Sequence, residues 1–399
     1  MPVPAPRLLA AALVQAFGPD VPVVTVPAGR SVVVAVEPAE VRRVEHADLH
    51  DVRGFAPGWW AGVIGYECGR PRSTARSFPD LLFARFDARL EIGPQGMRVV
   101  GHGPGAVRLR EALTRVEEFI ESPPAPLTTL AEWQSDVTRE QWCAQVAHTH
   151  ALLRRGECYQ LNLTRMLRAS GSVDAAELFA HIATRHDVPY ASLIRFGDTA
   201  VASASPECFL RWRGRAVSTR PIKGTGRDAS ELVTSDKDRT ENVMIVDLAR
   251  ADFDRACEPG SVEVHGLLDA EEHPGLVHLV STVVGQRREH SDVADLLHAT
   301  FPAASITGVP KPRVLDLIES IEGRPRGAYC GAIGWFDTLA DAGEFSVAIR
   351  TFTVDADLVE LGVGGGITMA SSADAEWAET ELKAERLLAL FDTPAQVST

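Results

Sequence analysis

Two pairs of acidic residues have the spacing that chemistry at a metal ion would need. Asp238 and Glu241 are three residues apart in a segment with helical character, and Glu376 and Glu379 repeat that spacing near the end of the chain. Residues three apart lie on one face of a helix, so each pair would present two carboxylates together. Two such pairs would suit a hard cation such as Mg2+. The alternative is a solvated helix face on which Glu379 pairs with Lys383, and spacing alone leaves both open.

A lysine and a glutamate lie in short segments whose backbone is restricted by proline. Lys223 lies between Pro221 and Gly224, which limit the backbone and let it turn closely past a neighbour. Burial there would favour an uncharged amine that can act as a nucleophile. Glu207 follows Pro206 at the start of a predicted strand and is a candidate general acid. The alternatives are a surface lysine beside a turn and a solvated carboxylate at a strand end.

Two further features are candidates for binding an anion. Gly364, Gly365 and Gly366 offer three consecutive amides without side chains, which predicts either an anion-binding concavity or a tight turn. Arg350 is predicted within a strand at 345–354 and suits a bidentate carboxylate, with a salt bridge at the strand end as the alternative.

The elements that must position these residues mix helices and strands without strict alternation. A capping box at Thr138 and Gln141 predicts the start of a helix that Gly156 ends, and residues 158–164 alternate as a strand does. The other predicted elements are helices at about 236–250, 292–299, 310–321 and 373–391, and strands at 192–196, 199–203, 208–212, 329–336, 345–354 and 358–363. This order favours an α+β fold with large antiparallel sheets over a doubly wound parallel fold.

Length and composition set the broad class. The 399 residues are 45% hydrophobic and 24% charged, as in globular proteins, and the proline-rich segment 121–126 predicts an N-terminal lobe at 1–122 and a catalytic domain at 127–393, packed as one unit. The net charge of −14 disfavours nucleic acid and anionic membranes as partners. Six scattered cysteines, an N-terminal amphipathic helix in place of a signal peptide, and no apolar run of about 18 residues predict a cytoplasmic protein. Motifs for nucleotide binding, serine hydrolysis and zinc proteolysis are missing from the sequence.

A series of motifs resembles the chorismate-utilising enzymes, the family that includes anthranilate, isochorismate, salicylate and aminodeoxychorismate synthases. The resemblance runs in order through about 140–392, and 58–66 resembles the N-terminal lobe of the family more weakly. It implies a two-lobed β-sandwich core of large antiparallel sheets with helices packed on the outside. The motifs are 156–163, 205–207, 220–225, 241–248, 278–281, 305–311, 329–331, 349–351, 364–366 and 376–383.

The resemblance also implies a role for each candidate residue. Mg2+ would be held by Glu241 and Glu379, with Asp238 and Glu376 in support, and would anchor the ring carboxylate of chorismate. The enolpyruvyl carboxylate would be held by Arg350, Tyr329 and the amides of Gly364, Gly365 and Gly366. Glu207 would be the general acid and Lys223 the nucleophile. The remaining implied residues are His278, near the ring with a catalytic role, and Gln160, Thr225, Thr307 and Lys383, which would bind substrate.

Two positions separate the branches of this family. Lys223 occupies a position at which anthranilate synthases usually carry alanine, and it resembles the branch that aminates chorismate at C4 to 4-amino-4-deoxychorismate, on the route to p-aminobenzoate. Gln160 stands where the water-using members usually carry a lysine base. No segment remains for a glutaminase domain, so the resemblance implies ammonia from a separate glutamine amidotransferase subunit. The alternatives are an anthranilate synthase large component and a non-catalytic chorismate-binding subunit.

Overall fold

The computed structural model describes residues 5–70, 78–120, 124–186, 188–226, 232, 236–273 and 276–391, without the side chains of 117–119, 225–226, 236–238, 272–273 and 276. The helices within these ranges are α1 Pro6–Gln15, α2 Pro104–Ile120, α3 Arg139–Arg154, α4 Ala175–Arg185, α5 Asp236–Ala256, α6 Val293–Thr300, α7 Lys311–Glu322 and α8 Ala373–Leu388, with 3-10 helices at Leu49–Gly54 and Ala304–Ile306.

The strands fall into two antiparallel sheets. In chain order they are β1 Val23–Ala28, β2 Ser31–Val36, β3 Glu40–Val44, β4 Trp59–Ile64, β5 Leu81–Phe86, β6 Ala88–Gly93, β7 Gly96–Gly101, β8 Gln134–Ser135, β9 Gln160–Ser170, β10 Tyr190–Phe196, β11 Thr199–Ser205, β12 Cys208–Arg213, β13 Ala216–Arg220, β14 Ile222–Gly226, β15 Glu263–His273, β16 Leu276–Gln286, β17 Gly308–Val309, β18 Ala332–Asp337, β19 Ala342–Val347, β20 Thr351–Asp355 and β21 Leu358–Ile367. The first sheet runs β17-β9-β21-β20-β11-β10-β1-β2-β6-β7, with β8 beside β9. The second runs β14-β16-β13-β12-β19-β18-β4-β5-β3, with β15 beside β16.

Apolar side chains from both sheets fill the space between them. Val24, Val33 and Ile194 of the first sheet are buried in the same cluster as Ala61 and Ile333 of the second. On the outer side of the first sheet, α1, α2, α4 and α8 contribute to another apolar cluster, and α5 and α6 pack with the second sheet. Burying the apolar face of each element in this way is what drives two sheets and their helices into layers. The predicted α+β sandwich of antiparallel sheets with outer helices is confirmed.

The N-terminal strands extend both sheets. β1 pairs with β10 in the first sheet, and β4 pairs with β18 in the second. Strands from before and after the predicted linker therefore share the same hydrogen-bonded ladders. Residues 121–123 of that linker lie outside the described residues, and the division at 1–122 and 127–393 stays a prediction.

One predicted strand is wrong, and it carries a candidate residue. Residues 345–354 form two strands and not one: β19 belongs to the second sheet and β20 to the first. Arg350 lies in the connection between them with a φ of 52°, a left-handed conformation that a strand cannot contain. The chain therefore crosses from one sheet to the other at Arg350. The sequence pattern did not reveal this break, because the residues on both sides of Arg350 have the pattern of a strand.

The other predicted elements agree with the structure to within a few residues. Thr138 and Gln141 form the predicted capping box at the start of α3, and Gly156 follows its end with a φ of 73°. The predicted helix at 236–250 continues to 256. The six cysteines, all within the described ranges, are thiols that form no disulfide, as expected. None of the helices in the described ranges is long and apolar enough to cross a membrane.

Candidate active site

The three consecutive glycines lie in the middle of a sheet. Gly364, Gly365 and Gly366 belong to β21 and pair with Thr164, Leu163 and Asn162 of β9. Successive peptide groups along an extended strand point in opposite directions, so three consecutive amides cannot converge on one anion. The predicted turn or concavity is therefore wrong, and the role of these glycines in substrate binding stays a prediction.

What the glycines do is admit functional side chains on both faces of the strand. A Cβ atom at Gly366 would lie 2.4 Å from Nε2 of Gln160 and 3.5 Å from Nζ of Lys223. A Cβ at Gly365 would lie 3.0 Å from Oε2 of Glu376. The absence of side chains at these two positions thus lets Gln160, Lys223 and Glu376 approach the backbone of β21.

Lys223 meets an acidic residue of α5. Nζ of Lys223, on β14, is 3.9 Å from Oε2 of Glu241, and their side chains are 18% and 16% exposed. Both are therefore largely removed from water while remaining accessible to a small molecule. Gln160 begins β9 and is buried, and its Oε1 has no hydrogen-bond partner among the described residues. Such an oxygen is available to a bound ligand, since buried polar atoms normally have partners.

Glu207 is a buried carboxyl group of this site with a raised pKa. It follows β11, is 4% exposed, and its amide donates a hydrogen bond to Oγ of Ser205. Burial raises the pKa of Glu207 to about 7, although the Ser305 hydroxyl, the Lys223 charge and the Arg350 charge oppose that rise. A carboxyl group with a pKa near neutral pH is protonated often enough to donate a proton and ionised often enough to take one back.

Arg350 brings a positive charge close enough to influence Glu207. Burial lowers the pKa of the Arg350 guanidinium, and the nearby Arg386 charge lowers it further. Across the described part of the chain, no carboxylate lies within ion-pair distance of Arg350. Its left-handed backbone is costly for an arginine, and the hydrogen bond from the Ala204 amide to its carbonyl helps to hold it. A partly desolvated guanidinium without a counter-ion is suited to a ligand carboxylate.

Helix α8 supplies the second acidic pair. Glu376 is 4% exposed and its Oε1 accepts a hydrogen bond of 2.7 Å from the Ser371 hydroxyl. Glu379 is half-exposed, and its Oε1 is 2.7 Å from Nζ of Lys383. The same Lys383 amine donates to the carbonyl oxygen of Gly364 at 2.8 Å. The ion pair between Glu379 and Lys383, which their spacing allowed, is thus present. The hydrogen bond from Lys383 to Gly364 also connects α8 to β21.

The donor set at this site is made of carboxylate oxygens, which fit Mg2+. Glu241 is brought beside Lys223, and Glu376 is brought beside Gly365, so one carboxylate of each acidic pair lies near the glycines of β21. Asp238 and Thr225 were also predicted here, but their side chains lie outside the described residues.

The structure also places three other candidate residues, whose surroundings the sequence did not predict. His278 is buried on β16, where it is paired with the backbone of Thr225. The Tyr329 ring packs against Gly362, where a Cβ atom would lie 2.1 Å from the ring. The Thr307 hydroxyl donates within its own turn, to the carbonyl oxygens of Ala303 and Ala304.

A buried ionic network, which the sequence did not predict, joins elements that carry site residues. The Arg326 guanidinium donates to the carboxylate of Glu322 and to the backbone carbonyls of Asn162 and Ile306, and its plane lies over the Tyr66 ring. It thereby joins α7, β9 and the segment that carries Ser305 and Thr307. The acid–base i,i+4 spacing was a visible signal for this pair, but the same spacing is common on solvated helix faces.

The glycine strand gives a direct steric test. Gly366→Ala would place a methyl group against the Gln160 amide and near the Lys223 amine, whereas Gly18→Ala adds a methyl group with no heavy atom within 4 Å. Overpacking of this kind costs about 1–3 kcal/mol. Because the methyl group would displace two residues of the candidate site, we expect a similar cost in the transition state and a kcat/KM lower by roughly tenfold to a hundredfold. Steady-state kinetics of both variants check this, and equal kinetics for the two would contradict the placement of Gln160 and Lys223.

The ionic network predicts a large loss of stability. Glu322→Gln removes the carboxylate that compensates Arg326, and both side chains are 1% exposed. Breaking a buried pair on one side costs about 3–5 kcal/mol, so the free energy of unfolding should fall by that amount. The control is Glu319→Gln, which breaks a more exposed pair with Arg70 and should cost about 1 kcal/mol or less. Denaturant unfolding measures both, and a Glu322→Gln loss no larger than the control would refute the network's role.

Comparison with known protein families identifies the relatives of this chain. The family model described as chorismate binding enzyme matches residues 17–389. Aminodeoxychorismate synthase component 1 of Escherichia coli strain K12 is 34% identical over 367 residues, which cover 88% of this chain and 79% of that protein. Anthranilate synthase component 1 of Saccharolobus solfataricus is 30% identical over 353 residues, covering 85% and 82%.

Solved structures with the same architecture come from several branches. Anthranilate synthase component I from Streptococcus pneumoniae superimposes with a TM-score of 0.76 at 24% identity, over 90% of this chain and 92% of that one. The menaquinone-specific isochorismate synthase of Escherichia coli gives a TM-score of 0.76 at 20% identity, over 98% and 92%. At these identities the likeness concerns the fold.

Proposed function

This chain belongs to the family of chorismate binding enzymes, and from that premise we propose that it aminates chorismate at C4 to 4-amino-4-deoxychorismate. The observation that carries the proposal is the position of Lys223. Its amine lies 3.9 Å from Glu241 and, like the Gln160 amide, close to Gly366, and the pKa of Glu207 in this site is raised to about 7. A lysine at this point offers a nucleophile to the ring. The segment that contains Lys223 resembles the C4-aminating branch, which favours ammonia as the group that finally attacks C4.

The reaction divides into two displacements. The uncharged amine of Lys223 adds at C2, the ring double bonds shift, and the C4 hydroxyl departs as water with the proton of Glu207. Ammonia then adds at C4, the double bonds return, and the lysine leaves C2 as an amine. The surplus proton of the new ammonium group passes to the Glu207 carboxylate. The sum is chorismate and ammonia giving 4-amino-4-deoxychorismate and water, with both side chains restored.

The two carboxylates of chorismate would be held by two separate groups of residues. Arg350 is the proposed partner of the enolpyruvyl carboxylate, because its guanidinium has no counter-ion in the described structure. Tyr329 and the amides of β21 are proposed to line the same end. Glu241 and Glu379, with Asp238 and Glu376, are proposed to hold Mg2+, which would neutralise and anchor the ring carboxylate when bound.

The charges close to the proposed site, and not the net charge of the chain, would govern the binding of dianionic chorismate. The net charge is −14, but the proposed site contains Lys223, Arg350 and Lys383. A bound divalent cation would change the sign of the local field still further. His278, Thr225, Thr307 and Gln160 complete the proposed ring-binding surface.

Ammonia is proposed to come from a separate glutamine amidotransferase subunit. Three relatives that match most of this chain are named as component 1, which supports a second component. We therefore expect the isolated chain to use ammonium salts and to be inactive with glutamine alone. Product formation from glutamine in the absence of a partner would contradict this proposal.

Product identity tests the proposed activity. The chain is incubated with chorismate, Mg2+ and ammonium, and the products are separated by chromatography and identified by mass. We expect a product that yields p-aminobenzoate only after an added lyase. Anthranilate, detected by its fluorescence without any lyase, would overturn the proposal in favour of an anthranilate synthase. Unchanged chorismate that remains bound would indicate a non-catalytic binding subunit.

A further inference from the structure

A second cluster of potential metal ligands lies away from the proposed active site, where the N-terminal part of the chain meets α6. The 3-10 helix Leu49–Gly54 packs against α6 in this region. Arg53 connects the two elements, with nitrogen–oxygen distances of 2.7 Å to Asp292 and 2.6 Å to Asp295. The contact is thus already held by charged groups near the surface.

Two histidines from the two elements face each other across this contact. The rings of His50 and His298 are stacked, with their centroids 4.8 Å apart and an angle of 23° between their planes. The Asp48 carboxylate lies beside them, and one ligand atom from each of the three residues lies within 4.8 Å of the other two. Zn2+ takes such ligand atoms at about 2.0–2.2 Å, so the proposed site requires the three side chains to close around the ion.

An unsatisfied atom at this position points to a missing ligand. Nδ1 of His50 is buried and has no hydrogen-bond partner within the described ranges. Buried polar atoms without a partner are rare in folded proteins, and a bound ion is one of the groups that can satisfy such an atom. A neutral imidazole nitrogen is also the commonest protein ligand of Zn2+ and related metals.

The surrounding charges favour a cation. Asp48 and Asp51 form the capping box of the 3-10 helix, and Asp292 and Asp295 form that of α6. The Arg53 guanidinium pairs with Asp292 and Asp295. Four carboxylates at the starts of these two elements favour a dication nearby.

We propose that His50, His298 and Asp48 bind a divalent transition metal of the Zn2+ type. Two imidazoles and one carboxylate are a borderline ligand set that prefers Zn2+, Co2+ or Ni2+ to Mg2+. The proposed Mg2+ site, by contrast, consists of carboxylates alone. The new site is therefore chemically distinct from it and independent of the proposed reaction. The metal would join the 3-10 helix to α6 and stabilise the folded chain.

The test compares Zn2+ binding by the full chain and by five variants in the presence of excess Mg2+. His50→Gln, His298→Gln and the double variant remove ligands from the proposed site. His102→Gln changes an exposed histidine elsewhere, and Glu241→Gln changes the proposed Mg2+ site. Titration calorimetry counts bound Zn2+, thermal unfolding measures the midpoint with and without Zn2+, and Co2+ absorption reports the geometry.

The native chain, His102→Gln and Glu241→Gln should share a tight Zn2+ equivalent and a Zn2+-dependent rise in the unfolding midpoint. The double variant should lose both, together with the Co2+ absorption of a four-coordinate site. Because the histidines lie at the surface contact, its circular dichroism without metal should match that of the native chain. The same Zn2+ stoichiometry in the double variant and the native chain would overturn the proposal, as would the absence of tight Zn2+ binding to the native chain.

Discussion

Replacement of Lys223 by alanine is expected to lower the turnover number by about a thousandfold, which corresponds to about 4 kcal/mol of transition-state stabilisation. Without the lysine amine, the C4 hydroxyl must be displaced by ammonia directly, and the reaction loses its covalent intermediate. Residual activity should depend on the ammonium concentration. Steady-state kinetics at saturating chorismate measure the loss.

The same residue should be trapped covalently when ammonia is withheld. Intact-protein mass spectrometry of the native chain with chorismate and Mg2+ should show an adduct with the mass of chorismate less water. Peptide mapping should place that adduct on Lys223. The comparison variant is Lys383→Ala, which removes the other amine of the proposed site, bonded to Gly364 and Glu379, and should still form the adduct at saturating chorismate. Undiminished turnover by Lys223→Ala would refute the nucleophile.

Replacement of Glu207 by glutamine should remove the proton donor while keeping the shape of the side chain. General acid catalysis contributes roughly a hundredfold to ten-thousandfold, so adduct formation should slow by that factor. The appropriate measurement is the single-turnover rate of adduct formation, because it involves neither ammonia nor product release. A rate within a few-fold of the native chain would exclude Glu207 as the general acid.

The pH dependence gives a second and independent signature of Glu207. Burial raises the pKa of this carboxyl group to about 7, and the group must be protonated to act as an acid. The uncharged amine of Lys223 is needed in the native chain and in Glu207→Gln alike, so the ratio of their adduct-formation rates isolates the carboxyl group. That ratio should fall as pH rises above about 7, towards tenfold per pH unit, because the protonated donor is lost. The control Glu360→Gln, which breaks a pair with Arg168 on β9, should differ from the native chain by the same factor at every pH. A ratio of native to Glu207→Gln rates that does not change with pH would contradict the assignment.

Local patterns in the sequence were sufficient for most of the elements because local forces determine them. The capping box at Thr138 and the glycine at 156 mark the two ends of α3, and both signals depend on hydrogen bonds within a few residues. The antiparallel sandwich followed from the mixture of strands and helices and from the family resemblance. The sheet to which each strand belongs was harder to predict from the sequence. The residues of β19 and β20 have the pattern of a single strand, and only the left-handed backbone of Arg350 separates them.

The sequence predicted which residues belong to the candidate site, but it predicted less of how they are arranged in space. The motifs contained Lys223, Glu207, Glu241 and Gln160, and the fold brings them to one end of β21. The motifs could not reveal that the glycines of β21 serve by lacking side chains, because that depends on the neighbouring strand and on α8. The Arg326–Glu322 network was missed for the same reason, since its partners come from three separate elements.

The position of the new nitrogen on the ring tests the central proposal most directly. The chain is incubated with chorismate, Mg2+ and 15N-labelled ammonium without any lyase, and the isolated product is examined by nuclear magnetic resonance. The proposed mechanism predicts that the label is bonded to C4 and that the enolpyruvyl group is retained. A label at C2, or loss of pyruvate to give anthranilate, would contradict it.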